Sequence, residues 1–431
     1  MARGSQDGLE WENTLFNLIP RWTREPSVEA IQGVCRQQLN VPAGGPCTAS
    51  FYAAGAFNKL YLIACAEEPF LMRVTLPVSP HYKTRGEVAT LRWVREHTNI
   101  PVPKVIAFED NNDNIIGFEW ILMELMPGTT AYRRWRTMSL EQKSAIAKSV
   151  AEFQVQLSCY GAPSSPFRSI GTLNLLREPP RIEAETRATP GMMISHEFFM
   201  GDRIKYDIPR GPFNSSHDWL NSEIRLIILE QTAALENAED EDDREDAEET
   251  LDAARKLRSV LPKVFPEDQE EVATALYHED LSLHNILVDK EGKITAIVDW
   301  ECVSAMPIWL TTKMPKFLVG ENREEEPIRD MYADEIPGDP QNDSGPDNLD
   351  NEGKDDLYWI HLMDYETTQL RAVYERRLRE LWPAWPLRDS QIKVDFFDAV
   401  LECNAGIFLG RVGRWADSIE RGDLVKWADV E

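Results

Sequence analysis

Between Tyr277 and Glu301 the chain reads YHEDLSLHNILVDKEGKITAIVDWE, and His278, Asp280, Asn285 and Asp299 stand out in an otherwise apolar setting. The runs Asn-Ile-Leu-Val-Asp and Lys-Ile-Thr-Ala-Ile-Val-Asp flank a Lys-Glu-Gly turn, a pattern that predicts a β-hairpin. Asn285 opens the first strand and Asp299 closes the second. A hairpin brings its open ends together, so a carboxamide and a carboxylate meet at one mouth, with Asp280 in the loop leading in. These are hard oxygen ligands of the kind Mg²⁺ takes when it bridges to phosphate, and the thiolate or imidazole that zinc prefers is not required. Asp280, standing slightly apart, is placed to orient a hydroxyl and accept its proton.

The elements that must hold these residues follow from the hydrophobic periods. From Cys47 to about Gly128 the texture is strand-rich: two strands around the Gly55 turn, a third in PFLMRVTL, and two more around an Asn/Asp-rich turn between Ile100 and Gly128. One helix interrupts them, with Val88, Leu91 and Val94 on one face. After Gly128 the chain turns helical. Ser139 to Gln142 form a capping box, and Ile146, Val150, Phe153 and Leu157 make an apolar core stripe behind it. Another helix begins near Ser216, and two more follow the acidic region, around QLRAVYERRLRELW and DFFDAVLECNAGIFL. The expected fold is therefore α+β in two lobes: an N-terminal helical extension (1–46), an antiparallel-sheet N-lobe with one helix (47–128), and a mainly helical C-lobe (129–431) that carries the 277–301 loop.

The chain has 431 residues and 42% hydrophobic composition, enough for two cores. Its formal net charge is −27. Acidity of that size argues against nucleic acid or an anionic membrane as a partner. Much of it is concentrated near 236–249, expected to be an exposed helix extension or a loop, and near 321–356, expected to be a long surface excursion. The six cysteines, Cys35, Cys47, Cys65, Cys159, Cys302 and Cys403, show no CxxC and no pairing rhythm, so all are expected to be reduced thiols. The N-terminus has no secretory h-region and no run is long enough to span a bilayer, which makes cytoplasmic the expected location.

The His-x-Asp-x-x-x-x-Asn pattern followed by Asp299 in IVDWE resembles the aminoglycoside phosphotransferase and choline kinase family, and most of all its fungal-type members. IPVPKVIAF and ILMELMPG in the first lobe match as well, and the resemblance runs from roughly Ala49 to Leu318. It implies a protein-kinase-like fold and ATP with Mg²⁺ as cofactors. It also implies roles: Asp280 as catalytic base, Asn285 and Asp299 as metal ligands, His278 as a brace of the loop. Gly55 would lie in the phosphate-covering turn, and Glu124, Leu125 and Met126 in the linker that hydrogen-bonds adenine. Arg73 stands where kinases place Lys, with Glu87 of the following helix as its partner. Glu301 could support the metal loop or merely face solvent.

The resemblance implies an ATP-dependent O-phosphotransferase that acts on a hydroxyl of a small molecule, aminoglycoside-, choline- or sugar-like. The alternative is a catalytically weak pseudokinase that binds nucleotide or acts as a scaffold, for which Arg73 and the acidic insertions speak. A protein kinase is disfavoured because no Ala-Pro-Glu segment follows Asp299.

Overall fold

The computed structural model describes residues 6–14, 18–65, 68–158, 167–175, 188–267, 273–335, 349–385, 390–423 and 425–430. The expected helical extension begins differently. Strands β1 (Leu9–Asn13) and β2 (Leu18–Trp22) pair as an antiparallel hairpin before helix α1 (Val28–Gln38). The hairpin forms because Leu9, Trp11 and Trp22 can cover the first-lobe core, where Trp22 meets Phe118 edge-on at 4.9 Å. Ser27 caps α1, which buries Ile31 and Cys35 against the sheet.

That sheet has five antiparallel strands: β3 (Cys47–Ala54), β4 (Asn58–Cys65), β5 (Glu68–Thr75), β6 (Val105–Glu109) and β7 (Glu119–Glu124), in the order β3-β4-β5-β7-β6. Its register decides two matters that spacing left open. Arg73 lies between Leu60 and Ile121, in the middle of the sheet. Cys47 lies opposite Cys65 with Cα atoms 4.4 Å apart, and the two are joined as a disulfide. The expectation of six free thiols is corrected there, because a pairing rhythm cannot register two residues that only strand pairing brings face to face. Cys35, Cys302 and Cys403 are free, and Cys159 lies outside the described residues. Helix α2 (Tyr82–His97) crosses the sheet with Val88, Leu91 and Val94 buried, as its period requires.

The chain then runs through β8 (Thr129–Thr130) and α3 (Ala131–Trp135) to α4 (Leu140–Leu157), which the Ser139–Gln142 capping box starts. Strands β9 (Gly171–Leu175), β10 (Ala188–Pro190), β11 (Thr274–Tyr277) and β14 (Ser304–Pro307) form a second sheet in the order β10-β9-β14-β11. The hairpin β12 (Ile286–Val288) and β13 (Ile294–Ile297) takes β8 as its third strand. After the short α5 (His196–Phe199), helices α6 (Ser216–Asn237), α7 (Glu241–Val264), α9 (Ser390–Ala405) and α10 (Leu409–Arg421) pack into one cluster, while α8 (Asp356–Leu381) packs on α4. The first acidic run becomes the start of α7, where Asp240 caps and Glu241, Asp242 and Asp243 suit the positive end of the helix dipole. Residues 336–348 of the second acidic run lie outside the described residues; on its far side Arg136 holds the carbonyl of Asp350 at 2.7 Å. Among the described residues no helix is long and apolar enough to cross a membrane.

Candidate active site

Two pairings close the functional stretch. Strand β11 enters it and β14 leaves it, with Tyr277 opposite Ser304. Within it Ile286 pairs with Ile297, and the Val298 amide donates to the Asn285 carbonyl at 3.0 Å. Asn285 and Asp299 are thereby carried to one mouth. Asn285 donates through Nδ2 to the Asp280 carbonyl at 2.8 Å and to its carboxylate at 3.0 Å, which fixes the loop residue against the hairpin. Asp299 adopts φ +64°, a left-handed conformation that Asp tolerates better than most residues, and its side chain stays 39% exposed.

His278 braces this arrangement from below. Its buried ring bonds the Val298 carbonyl through Nε2 at 3.1 Å and meets Trp300 edge-on at 5.0 Å. Burial lowers its proton affinity, so the neutral ring that suits this single donated bond is favoured.

Across the mouth, Arg73 donates to Glu87 at 2.6 Å and lies 2.5 Å from Glu301 and 3.3 Å from Asp299. Lys83, one helical turn before Glu87, also reaches Glu301, and Asn58 donates to the same carboxylate at 2.9 Å. Thr75 holds Asn58 in turn at 2.9 Å. Burial resists charge on Glu301, but the Lys83 and Arg73 charges outweigh it and hold its carboxyl far below the usual range. Glu87 is 2% exposed, its Oε2 has no hydrogen-bond partner among the described residues, and burial pushes it up to about 7. Arg73 and Glu87 thus meet as expected, and Glu301, its side chain 15% exposed, joins them in one charged cluster. At 5% exposure, however, the Arg73 guanidinium is spent on carboxylates.

Gly55 lies at the β3–β4 turn, where its amide donates to the Asn58 carbonyl at 2.9 Å. A Cβ placed there would touch nothing within 4 Å, so the fold itself does not demand glycine; open space over the turn is what a bound group needs. Glu124 ends β7. Its amide donates to the Lys104 carbonyl at 3.0 Å and its carboxylate accepts from the Lys104 amide at 3.3 Å. Met126 follows in the linker, which is pinned to the hairpin: Thr295 donates to the Pro127 carbonyl at 2.6 Å, and at Gly128 (φ +113°) a Cβ would lie 2.8 Å from the Val288 carbonyl.

Among the described residues no group of three or more His, Cys, Asp or Glu side chains could hold a metal by itself. A cation at Asn285 and Asp299 would draw its other ligands from phosphate and water, which is the habit of Mg²⁺. Next to the loop, a partly open recess is lined by Glu197, Glu223, Glu279, Trp219, Tyr277 and Phe397. Trp219 donates to one Glu223 oxygen at 2.7 Å; the other, Oε2, is buried with no partner among the described residues. Burial, then the charges of Glu197 and Glu279, push Glu223 well above the usual carboxylate range.

Residues 48–310 match the family described as the phosphotransferase enzyme family, APH. The chain belongs to this family. Two relatives of this APH-family chain are distant in sequence. A subtelomeric hrmA-associated cluster protein of Aspergillus fumigatus is 26% identical over 366 residues, covering 76% of this chain and 67% of that protein. The altered inheritance of mitochondria protein 9, mitochondrial, of Eremothecium gossypii is 23% identical over 350 residues, 69% of this chain and 55% of the relative. The chain spans about half the length of these mitochondrial relatives. A solved structure of a thermostable mutant of aminoglycoside phosphotransferase APH(4)-Ia, apo form, is 14% identical with a TM-score of 0.44, covering 91% of this chain and 98% of that one. A ternary complex of the same enzyme with ADP and hygromycin B gives 15% identity and a TM-score of 0.43, covering 92% and 100%.

Sequence reasoning on this APH-family chain missed Asn58, Lys83 and Glu223. Lys83 carried a weak signal, being four residues before Glu87 and so on its helix face. Asn58 and Glu223 carried none, because their partners are distant in sequence.

Proposed function

We propose that the protein is an ATP-dependent O-phosphotransferase that moves the γ-phosphoryl group to a hydroxyl of a small molecule. The observation that carries this reading is the convergence of Asp280, Asn285 and Asp299 at one mouth, with Arg73 and Glu87 facing it from the sheet. The family match supports the reaction type.

ATP with Mg²⁺ supplies the transferable phosphoryl group and the charge neutralisation that phosphoryl transfer needs. Asn285 and Asp299 hold the metal. Asp280 orients the acceptor hydroxyl and takes its proton as the new O–P bond forms. Asn285 keeps the Asp280 carboxylate aimed. Lys83, Arg73 and Asn58 fix Glu301 and with it the backbone that carries Asp299. The linker at Glu124 and Met126 and the open turn at Gly55 take the adenine and phosphate ends of the nucleotide. Because the Glu124 amide is spent on Lys104, the Met126 amide is the linker donor.

Among acceptors left open by the sequence, the recess beside Glu279 favours an alcohol that bears an ammonium group. Three acidic side chains and three aromatic rings line it; a cation there meets ring faces, and its charge favours loss of the proton that burial keeps on Glu223, whose Oε2 has no partner among the described residues. The test pairs two measurements. MgATP at about one hundred times its dissociation constant stabilises the fold by about 2.7 kcal/mol in a thermal-shift titration. ADP release is then followed with amino-, choline- and sugar-type alcohols, and the ammonium-bearing ones turn over fastest. No response to millimolar MgATP overturns the nucleotide reading, and equal rates with neutral sugars overturn the acceptor reading.

A further inference from the structure

The loop that carries Asp280 has a second attachment, from a segment 36 residues further on. After β14 the chain returns through a short 3-10 turn, Lys316–Leu318. Phe317 and Leu318 are buried in the same core as Leu283, Ile286 and Trp135, and the Phe317 ring meets Trp135 edge-on at 6.3 Å. The Phe317 amide donates to the carbonyl of Leu281, the residue after Asp280, at 3.2 Å. This backbone bond and the two buried anchors place the Lys316 ammonium 2.8 Å from Asp280 Oδ1, while Asn285 holds Oδ2.

An exposed Lys–Asp pair contributes little to stability as a rule, since solvent screens it and both side chains lose freedom. Here Lys316 is 64% exposed and Asp280 52%, yet the backbone beneath the lysine is tied to the loop. That is costly construction for a surface ion pair, and it sits at the one carboxylate to which the proposed chemistry assigns a proton transfer. An ammonium has three donors; one engages Asp280, and the exposed head has room for others. The position two residues after Asp280, where a loop residue could supply a cation locally, is Ser282.

We propose that Lys316 is a catalytic residue whose ammonium spans Asp280 and the transferring phosphoryl group. The proposal rests on the phosphotransferase reading above. In the step it serves, the acceptor O–H bond breaks and its proton passes to Asp280. The acceptor oxygen forms a bond to the γ-phosphorus, and the bond to the β-phosphate oxygen breaks with its electron pair leaving on ADP. Lys316 keeps all its protons. It donates hydrogen bonds to the equatorial oxygens and offsets the charge that develops there.

The experiment needs no acceptor. MgADP binding is measured by calorimetry with and without fluoroaluminate, which mimics the phosphoryl group in flight. In the parent, fluoroaluminate tightens MgADP. The Lys316→Met variant keeps its MgADP affinity within about twofold and loses about 10²-fold or more of that tightening, the scale of one lost transition-state donor. Lys316→Arg retains part of it, and the melting temperature of both variants stays close to the parent's. A Lys316→Met protein that keeps the full tightening, or that loses MgADP affinity equally, overturns the role. So does a parent that binds MgADP without gaining from fluoroaluminate. A parent that binds no MgADP overturns the phosphotransferase reading itself.

Discussion

Removing Arg73 should expose how the buried cluster at the mouth is balanced. Two cations, Arg73 and Lys83, stand against the carboxylates of Glu87, Asp299 and Glu301. Arg73→Met leaves Glu301 with Lys83 and Asn58 but leaves Glu87 with no ion-pair partner among the described residues. Leaving a charged Glu87 buried without Arg73 costs up to about 3–5 kcal/mol, a cost that arises only as the pH climbs past 7 and the carboxyl would ionise. The pH dependence follows from Glu87, whose carboxyl sits up at about 7 in the parent. A carboxyl raised in the folded state favours the neutral form, so the parent loses stability as pH rises from the unfolded value towards 7 and then levels off. In Arg73→Met the Glu87 value rises further, the proton stays on, and stability goes on falling above pH 7. The penalty is therefore flat between pH 5.5 and 7 and grows by about 1.4 kcal/mol per pH unit above that, one proton's worth. Urea denaturation at pH 5.5, 7 and 8 reads it directly. The double variant Arg73→Met, Glu87→Gln removes both charges and should recover most of the loss and abolish the slope. Parallel pH profiles for parent and Arg73→Met, or a double variant no better than the single one, would refute the argument.

Asp299→Ala should abolish turnover and weaken Mg²⁺-dependent nucleotide binding, whereas Asp280→Asn should leave binding close to the parent's and lower turnover by about 10²–10⁴-fold; calorimetry beside ADP release separates them, and equal effects on both would undo the division of roles. An added Cβ at Gly55 has nothing within 4 Å beyond its chain neighbours, so Gly55→Val should change stability by less than about 0.5 kcal/mol while weakening MgATP at least about tenfold, because the side chain occupies the space over the turn. Gly128→Ala behaves in the opposite way: φ +113° and the Val288 carbonyl 2.8 Å from the new Cβ should lower the melting temperature visibly, and an unchanged melt would show that the linker does not lie against the hairpin as described.

Local pattern carried a large part of this protein. The alternation of Asn285 to Asp299 around Lys-Glu-Gly makes a hairpin whichever way the rest folds, and its polar ends must meet. The stripe of Val88, Leu91 and Val94 and the Ser139–Gln142 capping box are likewise settled within one or two helical turns. The opening hairpin escaped notice because its strands are five residues each, with Pro20 in the second, tolerable at a two-stranded edge. Periodicity says which face of an element is buried and is silent about what it will face. The disulfide of Cys47 and Cys65 depended on strand register. The meeting of Lys83 with Glu301, of Asn58 with the same carboxylate, of Lys316 with Asp280 and of Glu223 with an acidic recess depended on how elements from both halves of the chain pack. Charges that close must be paired or lose their ionisation, and only the packed fold brings them that close.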